Sequence, residues 1–422
     1  VTEISRSALS RRAALLSGGA VLLAGPAFAA HHRKPHAAQT SAKPAASGDE
    51  DVDTGGGAAS VASPAATPLG PMDTVAREAC ILDFNTGATL MDKAADSPMT
   101  PSSLTKLMTA YLVFAALSAG RITLTQQLPV SEKAWRMGGS KMFVPYPGSV
   151  SVEDLIKGMV IQSGNDACIV LAEGISGSED QFVARMNEMA GKLGLTHSHF
   201  INCTGWPDPG HVMSARDIAM VARDLIANFP QYYHFFNEKD FVFNGIKQGN
   251  RNTLVDKGIA DGLKTGHTEE GGFGECSSAA QNGRRVIVVL NGMSSMSERA
   301  HETERLLEWA LNSFEDVRLL TKDEPLGQVP VWLGTKPEVA LVGGETKVLT
   351  LPLGWKTKAR VEVEYDAPLR APVRKGDQIG RMVVAGDGMP AMELALVAAD
   401  SVPRVGLPMR VMRVMAHYVT GV

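Results

Sequence analysis

Ser103 and Lys106 stand three residues apart in TPSSLTKLMTAYLVFAA, residues 100–116, a stretch otherwise mostly apolar. On a helix, positions i and i+3 are neighbours on one face. A serine hydroxyl is a weak nucleophile at neutral pH and needs a base within hydrogen-bond reach. Lys106 is that base only as the free amine. Burial among Leu104, Leu107, Met108 and Tyr111, or a second cation nearby, favours that form. Two further motifs follow: Ser163-Gly164-Asn165 and Lys264-Thr265-Gly266. Lys264 is the candidate second cation. Ser163 has no base of its own and suits a proton relay to a leaving amine. Asn165 offers an amide to position a substrate backbone. Gly266 removes a side chain from its strand, so that an extended peptide can approach the edge. The backbone N–H groups of Ser103 and His267 are candidates to stabilise an oxyanion.

Each motif alone has a plainer reading: an N-capping serine with a surface lysine, a turn, a strand end. Their order and local settings carry the weight. Pro98 and Pro101 precede a helix predicted from about Ser102. Val152, Leu155, Ile156, Met159 and Val160 keep helical spacing up to a break at Ser163-Gly164-Asn165, after which a second helix is predicted. IADGLKTGHT, GGFGECSSAAQ and RRVIVVLNGMS read as consecutive strands, and EACILDFNTGATLMDK as a hairpin about Asn85-Thr86-Gly87. Helices segregated from a sheet built by both ends of the segment indicate an α+β fold, an α/β sandwich. Beyond residue 318 six short alternating strands, from QVPVWLG to MELALVAA, predict a small all-β sandwich domain.

The 422 residues are 44% hydrophobic and carry a net charge of −4, enough for two folded domains and without the basic surplus of a nucleic-acid binder. Residues 1–29 read as an export signal: Arg6, Arg11 and Arg12, then a short apolar run ending in Ala27-Phe28-Ala29. Arg11-Arg12 fits general secretion and the twin-arginine route alike. Residues 30–69 are Ala/Pro/Ser-rich and read as a tether. The folded domains are expected at 70–317 and 318–402, and an amphipathic membrane anchor at 403–422. In that last stretch Val411, Met415 and Tyr418 share one helical face and Arg410, Arg413 and His417 another. The expected location is therefore outside the cytoplasm, on the periplasmic face of the inner membrane. The cysteines, Cys80, Cys168, Cys203 and Cys276, are widely spaced and read as buried free thiols. No cofactor is called for: His197-Ser198-His199 is a close histidine pair without a third ligand.

The ordered trio resembles that of the low-molecular-mass penicillin-binding proteins, the serine D-alanyl-D-alanine carboxypeptidases. SSLTKLMTAYL, IQSGNDACIVLAE, SARDIAM, NRNTLV, DGLKTGHTEEGGFG and APVRKGDQIG carry the likeness. It implies release of the terminal D-alanine from peptidoglycan stem peptides, with Ser103 as nucleophile, Lys106 as base, Ser163 as relay and Lys264 as electrostatic partner. It also implies acylation of Ser103 by β-lactams. Asn165, Thr265, Gly266 and His267 are then substrate-binding positions. Arg299 and Arg251 stand where the family has arginines at or near the site, and a guanidinium suits a free terminal carboxylate. An endopeptidase cutting crosslinks uses the same acyl chemistry and is the alternative. A β-lactamase of the related type needs a deacylating glutamate followed four residues on by asparagine; Glu173, Glu179, Glu188 and Glu238 lack it. An inactive wall-binding scaffold would be expected to have lost Ser103 or Lys106.

Overall fold

A computed structural model describes residues 61–357, 359–386 and 389–420. The export signal and the tether up to residue 60 lie outside these residues.

Five antiparallel strands form the central sheet, in the order Thr89–Lys93, Glu78–Asp83, Arg284–Met293, Gly272–Gln281, Gly262–Thr268. The expected hairpin turns at Gly87, whose φ of +75° suits a residue without a side chain. The middle strand is apolar along its length because both its faces are covered. Val286, Val288 and Leu290 pack with Leu306, Leu307 and Ala310 of helix Met296–Asn312. Ile287 and Val289 point the other way, into the core shared with Ile218, Val221 and Leu225 of helix Ala215–Asn228. The period of two along a strand thus sorts one sequence run between two cores. Full burial of each such side chain contributes roughly 2 kcal/mol.

Helices Lys106–Ser118, Val152–Val160, Asn165–Ser176 and Glu179–Leu193 complete the larger core. Ser151, Ser178, Ser214 and Ser295 cap the helices that follow them, each accepting a backbone N–H three residues on. The two helices flanking Ser163-Gly164-Asn165 and the three strands in series stand where the sequence predicts them.

The tether was expected to reach residue 69, but Ser63–Ala65 already forms a strand paired with Met72–Thr74. Only Ala65 of that strand is buried, so no apolar period announces it. A hairpin, Asp240–Phe243 with Ile246–Gly249, was likewise not foreseen.

The C-terminal domain has a six-stranded sheet and a two-stranded one, and its strands include the six runs predicted. The boundary expected at 317/318 falls inside a strand, Phe314–Leu320. Phe314 packs in the first domain's core and Leu320 in the second's, so no loop separates the two. Arg284 ties the seam: Nε meets Asp83 Oδ2 at 2.9 Å, and Nη1 donates to the carbonyls of Ala310, Leu311 and Phe314.

The last helix, Leu407–Thr420, touches the C-terminal domain along its basic side, where Arg410 and Arg413 are half-buried and His417 stays exposed. Arg413 donates to Gly334 O at 2.8 Å, and the His417 ring meets Trp332 edge-on at 5.0 Å. Leu407, Val411, Met412, Met415, Tyr418 and Val419 are left exposed. Among the described residues no helix is long and apolar enough to cross a membrane.

Candidate active site

Ser103 lies in a 3-10 turn, Ser102–Thr105, that runs straight into helix Lys106–Ser118. Its hydroxyl is not a helix cap; neither the turn nor the helix start has a side-chain cap bond. Ser102 holds a φ of +52°, a conformation costly for a residue with a side chain and often stored at functional turns. Lys106 Nζ lies 2.7 Å from each of three oxygens: Ser103 Oγ, Asn165 Oδ1 and the carbonyl of Thr204. Ser103 and Lys106 are each 1% exposed.

The three partners differ in kind. The Asn165 and Thr204 oxygens only accept, whereas a serine hydroxyl both donates and accepts. A neutral amine has two N–H groups and one lone pair. Directing the N–H groups at the two carbonyl oxygens leaves the lone pair for the Ser103 hydroxyl, the arrangement a general base requires.

Asn165 has a duty in addition to the substrate positioning expected of it. Oδ1 holds Lys106, and Nδ2 donates to Gly138 O at 3.0 Å, so both ends of the amide serve the protein. Its backbone N–H donates to Ser140 O. Asp166 next to it gathers the N–H groups of Met142, Phe143 and Val144 within 3.1 Å and so fixes the facing loop. Ser163 has a φ of +68°. The buried hydroxyls of Ser163, Thr265 and Ser140 have no hydrogen-bond partner among the described residues. Buried hydroxyls are nearly always bonded, so three on segments that touch Ser103, Lys106 or Asn165 mark a place for a ligand's own polar groups.

Strand Gly262–Thr268 is the sheet edge that faces the nucleophile turn. A side chain at Gly266 would meet Ser102 Cβ at 3.0 Å and Ser103 N at 3.1 Å. The glycine thus admits the nucleophile turn itself, besides the approach of a substrate peptide expected from the sequence. Ser103 and His267, the two expected oxyanion donors, flank that contact. Lys264 is buried, with Nζ 2.7 Å from Thr265 O. The His267 ring stacks on Phe273, centroids 3.9 Å apart.

Arg299 was expected to present a fork to a carboxylate, yet it is 1% exposed. Its guanidinium lies 6.0 Å from the Phe273 ring centroid, pairs through Nε with Glu275 Oε2 at 3.3 Å and donates from Nη2 to Arg251 O at 3.3 Å. Burial pulls the Arg299 guanidinium below its usual range, against the pull of Glu275. Burial also raises the Glu275 carboxyl, opposed by Arg299, the Ser277 hydroxyl and Lys264. Arg251 gives this cluster its backbone carbonyl.

Three contributors were missed in the sequence. Asn202 Oδ1 accepts the N–H groups of Thr204, Gly205 and Trp206, folding the loop that presents the Thr204 carbonyl to Lys106. NCTG is an Asx-turn signal that could have located it. His211 holds Thr105 Oγ1 at 2.9 Å through Nε2, while Nδ1 accepts from Ile201 N at 3.1 Å. Burial, with the nearby charges of His199 and Lys106, lowers the His211 imidazole to about 4. Glu275 is the third. The four thiols are free and buried, and burial pushes Cys80 and Cys168 up to about 12, far from reactive thiolates.

Comparison with known proteins agrees with this geometry. The family model for D-alanyl-D-alanine carboxypeptidase matches residues 63–294, and that for the penicillin-binding protein 5 C-terminal domain matches residues 314–404. The chain is 38% identical to the D-alanyl-D-alanine carboxypeptidase DacC of Escherichia coli over 340 residues, 78% of this chain and 85% of that protein. Penicillin-binding protein 5 of Haemophilus influenzae superposes with a TM-score of 0.69 at 36% identity, covering 78% of this chain and 98% of the other. Penicillin-binding protein D2 of Listeria monocytogenes, in its ampicillin-bound form, superposes at 0.52 with 28% identity over 56% of this chain and 97% of the other. A nucleophile turn, an amine aimed at it, a glycine-lined sheet edge and these matches over both domains together place the chain in the D-alanyl-D-alanine carboxypeptidase family of serine peptidases.

Proposed function

We propose that this protein is a serine D-alanyl-D-alanine carboxypeptidase that removes the terminal D-alanine of peptidoglycan stem pentapeptides through an acyl-enzyme on Ser103. The observation that carries the reading is the Lys106 amine, 2.7 Å from Ser103 Oγ and from two obligate acceptors. Lys106 takes the hydroxyl proton as Ser103 Oγ attacks the penultimate carbonyl. The oxyanion lies between the N–H groups of Ser103 and His267, and Lys264 adds positive charge. The proton passes through Ser163 to the departing D-alanine amine. Water, deprotonated by the Lys106 amine, then attacks the ester, and the proton returns from Lys106 to Ser103 Oγ as the ester breaks. Thr265 Oγ1 and the strand edge at Gly266 and His267 hold the peptide. Arg299, with Arg251, answers its carboxylate.

β-Lactams acylate the same hydroxyl, and the ampicillin-bound Listeria relative supports this. The test is release of D-alanine from a pentapeptide by the parent and by Ser103→Ala. Release by the parent and none by the variant is expected; equal release by both, or cleavage of a crosslinked dimer only, contradicts the reading.

We also propose that the protein acts outside the cytoplasm, on the periplasmic membrane surface, held by helix Leu407–Thr420. The exposed Val411, Met415, Tyr418 and Val419 support this, since an apolar helical face covered by none of the described residues suits a lipid interface. Co-sedimentation with anionic vesicles, lost on deleting residues 404–422, is expected; undiminished binding by the truncated chain would refute it.

A further inference from the structure

Glu275 is 1% exposed in the middle of a sheet strand, opposite Thr265 and two residues from Phe273. A carboxylate at such a position is costly unless it is paired and hydrogen-bonded. It is both. Oε2 pairs with Arg299 Nε at 3.3 Å, and Oε1 accepts from Ser277 Oγ at 2.5 Å. Asn252 Nδ2 in turn donates to Ser277 Oγ at 2.8 Å and to Gly262 O at 3.3 Å, at the start of the strand that carries Lys264. On the far side of Arg299, Nη2 donates to the carbonyl of Arg251. One buried acid therefore connects both arginines assigned to the carboxylate end of the substrate with the strand that lines the cleft.

We infer that Glu275 is a positioning residue for recognition of the substrate's terminal carboxylate: it anchors the Nε edge of Arg299 and, through Arg299, the backbone of Arg251. This rests on the reading of Arg299 given above. An ion pair at the Nε edge and a hydrogen bond from Nη2 restrain the guanidinium at two points of its rigid fork. Glu275 also offsets part of the positive charge that Arg299 and Lys264 bring to this end of the cleft. Only one substrate carboxylate is then needed to complete the balance among these three groups. Loss of the anchor loosens the end of the site that holds the carboxylate and leaves the acylation machinery at Ser103 in place.

The experiment measures KM and kcat for a peptide ending in free D-Ala-D-Ala and for its C-terminal amide. The proteins are the parent, Glu275→Gln, Glu275→Leu and Arg299→Ala. The parent prefers the acid, and Arg299→Ala abolishes the preference. Glu275→Gln removes the charge of the pair, keeps a polar oxygen near Nε, and raises KM for the acid about three-fold. Glu275→Leu keeps none and raises it about thirty-fold. KM for the amide stays put in both, and kcat changes little. Should Glu275→Leu fail to fold, the glutamine variant alone decides, by the same difference between acid and amide. Equal shifts for acid and amide, a fall in kcat alone, or no shift at all overturns the role of Glu275 while Arg299→Ala still abolishes the preference. A parent indifferent to the terminal carboxylate, or a preference that survives Arg299→Ala, overturns the reading of Arg299 and this role with it.

Discussion

At the scale of single residues, three acceptors around one amine account for the chemistry. Lys106→Met keeps the length of the side chain and removes the base. Acylation is expected to fall by about 10³-fold or more, with no loss of melting temperature, because the substitution also removes a buried amine. Comparable acylation rates in stopped-flow measurements would show that another group takes the proton. His211 makes a second prediction. Its imidazole is lowered from the ordinary 6.5 to about 4 in the folded protein, so between those values the unfolded chain binds the extra proton. Its contribution to stability is therefore complete above pH 6.5 and is lost as pH falls toward 4. The loss approaches about 3 kcal/mol, because each tenfold weakening of proton affinity corresponds to about 1.36 kcal/mol. Denaturant titrations of the parent and His211→Gln should show a shallower pH dependence in the variant over that window; equal slopes would remove His211 from the account.

At the scale of elements, the nucleophile turn is wedged between two glycines. Gly266 admits it from the sheet edge, and Gly205 admits it from the Asn202 loop. Gly205 has a φ of +88°, and a side chain there would lie 1.8 Å from Ser102 O. Gly205→Ala must displace the turn and is expected to lower kcat/KM about 100-fold, the cost of roughly an ångström of misplacement. Gly210 is the control. It shares the positive φ, +89°, with nothing within 4 Å of an added Cβ. Gly210→Ala should cost stability of about 1–2 kcal/mol and leave kcat/KM nearly unchanged. If both variants lose activity alike, the close approach to Ser102 is not what matters. Elements of this kind are unequally legible in sequence. The i, i+3 spacing of Ser103 and Lys106 is local, and so is the break at Ser163-Gly164-Asn165, and both could be read. The Lys106 contacts to Asn165 and Thr204 span 59 and 98 residues, and a backbone carbonyl has no residue type to betray it. Helix Lys106–Ser118 is buried nearly all round, so its sequence has no amphipathic period to set its orientation. The bonds of Asn165 to Lys106 and Gly138, and the close approach of Gly266 to the nucleophile turn, were not legible because each depends on what another segment brings against it.

At the scale of the whole molecule, the two cores meet inside one strand, and Arg284 closes the joint between helix Met296–Asn312, Asp83 and the strand beyond. Arg284→Met leaves Asp83, fully buried, without its cation. Breaking a buried pair in this way costs about 3–5 kcal/mol, which thermal unfolding should register as a large fall in melting temperature; an unchanged melting temperature would mean that the seam is held elsewhere. The all-β texture of the C-terminal domain was legible from its alternation. Its junction was not, because Phe314–Leu320 serves both cores without a loop, and the contacts of Arg413 with Gly334 and of His417 with Trp332 reach a remote strand and its following turn. All of this structure converges on one hydroxyl. The most direct measurement is intact-protein and peptide mass spectrometry after incubation with benzylpenicillin. One drug molecule added to the peptide that contains Ser103, and none in Ser103→Ala, is the predicted result. No adduct on the parent, or an adduct on another residue, would contradict the account.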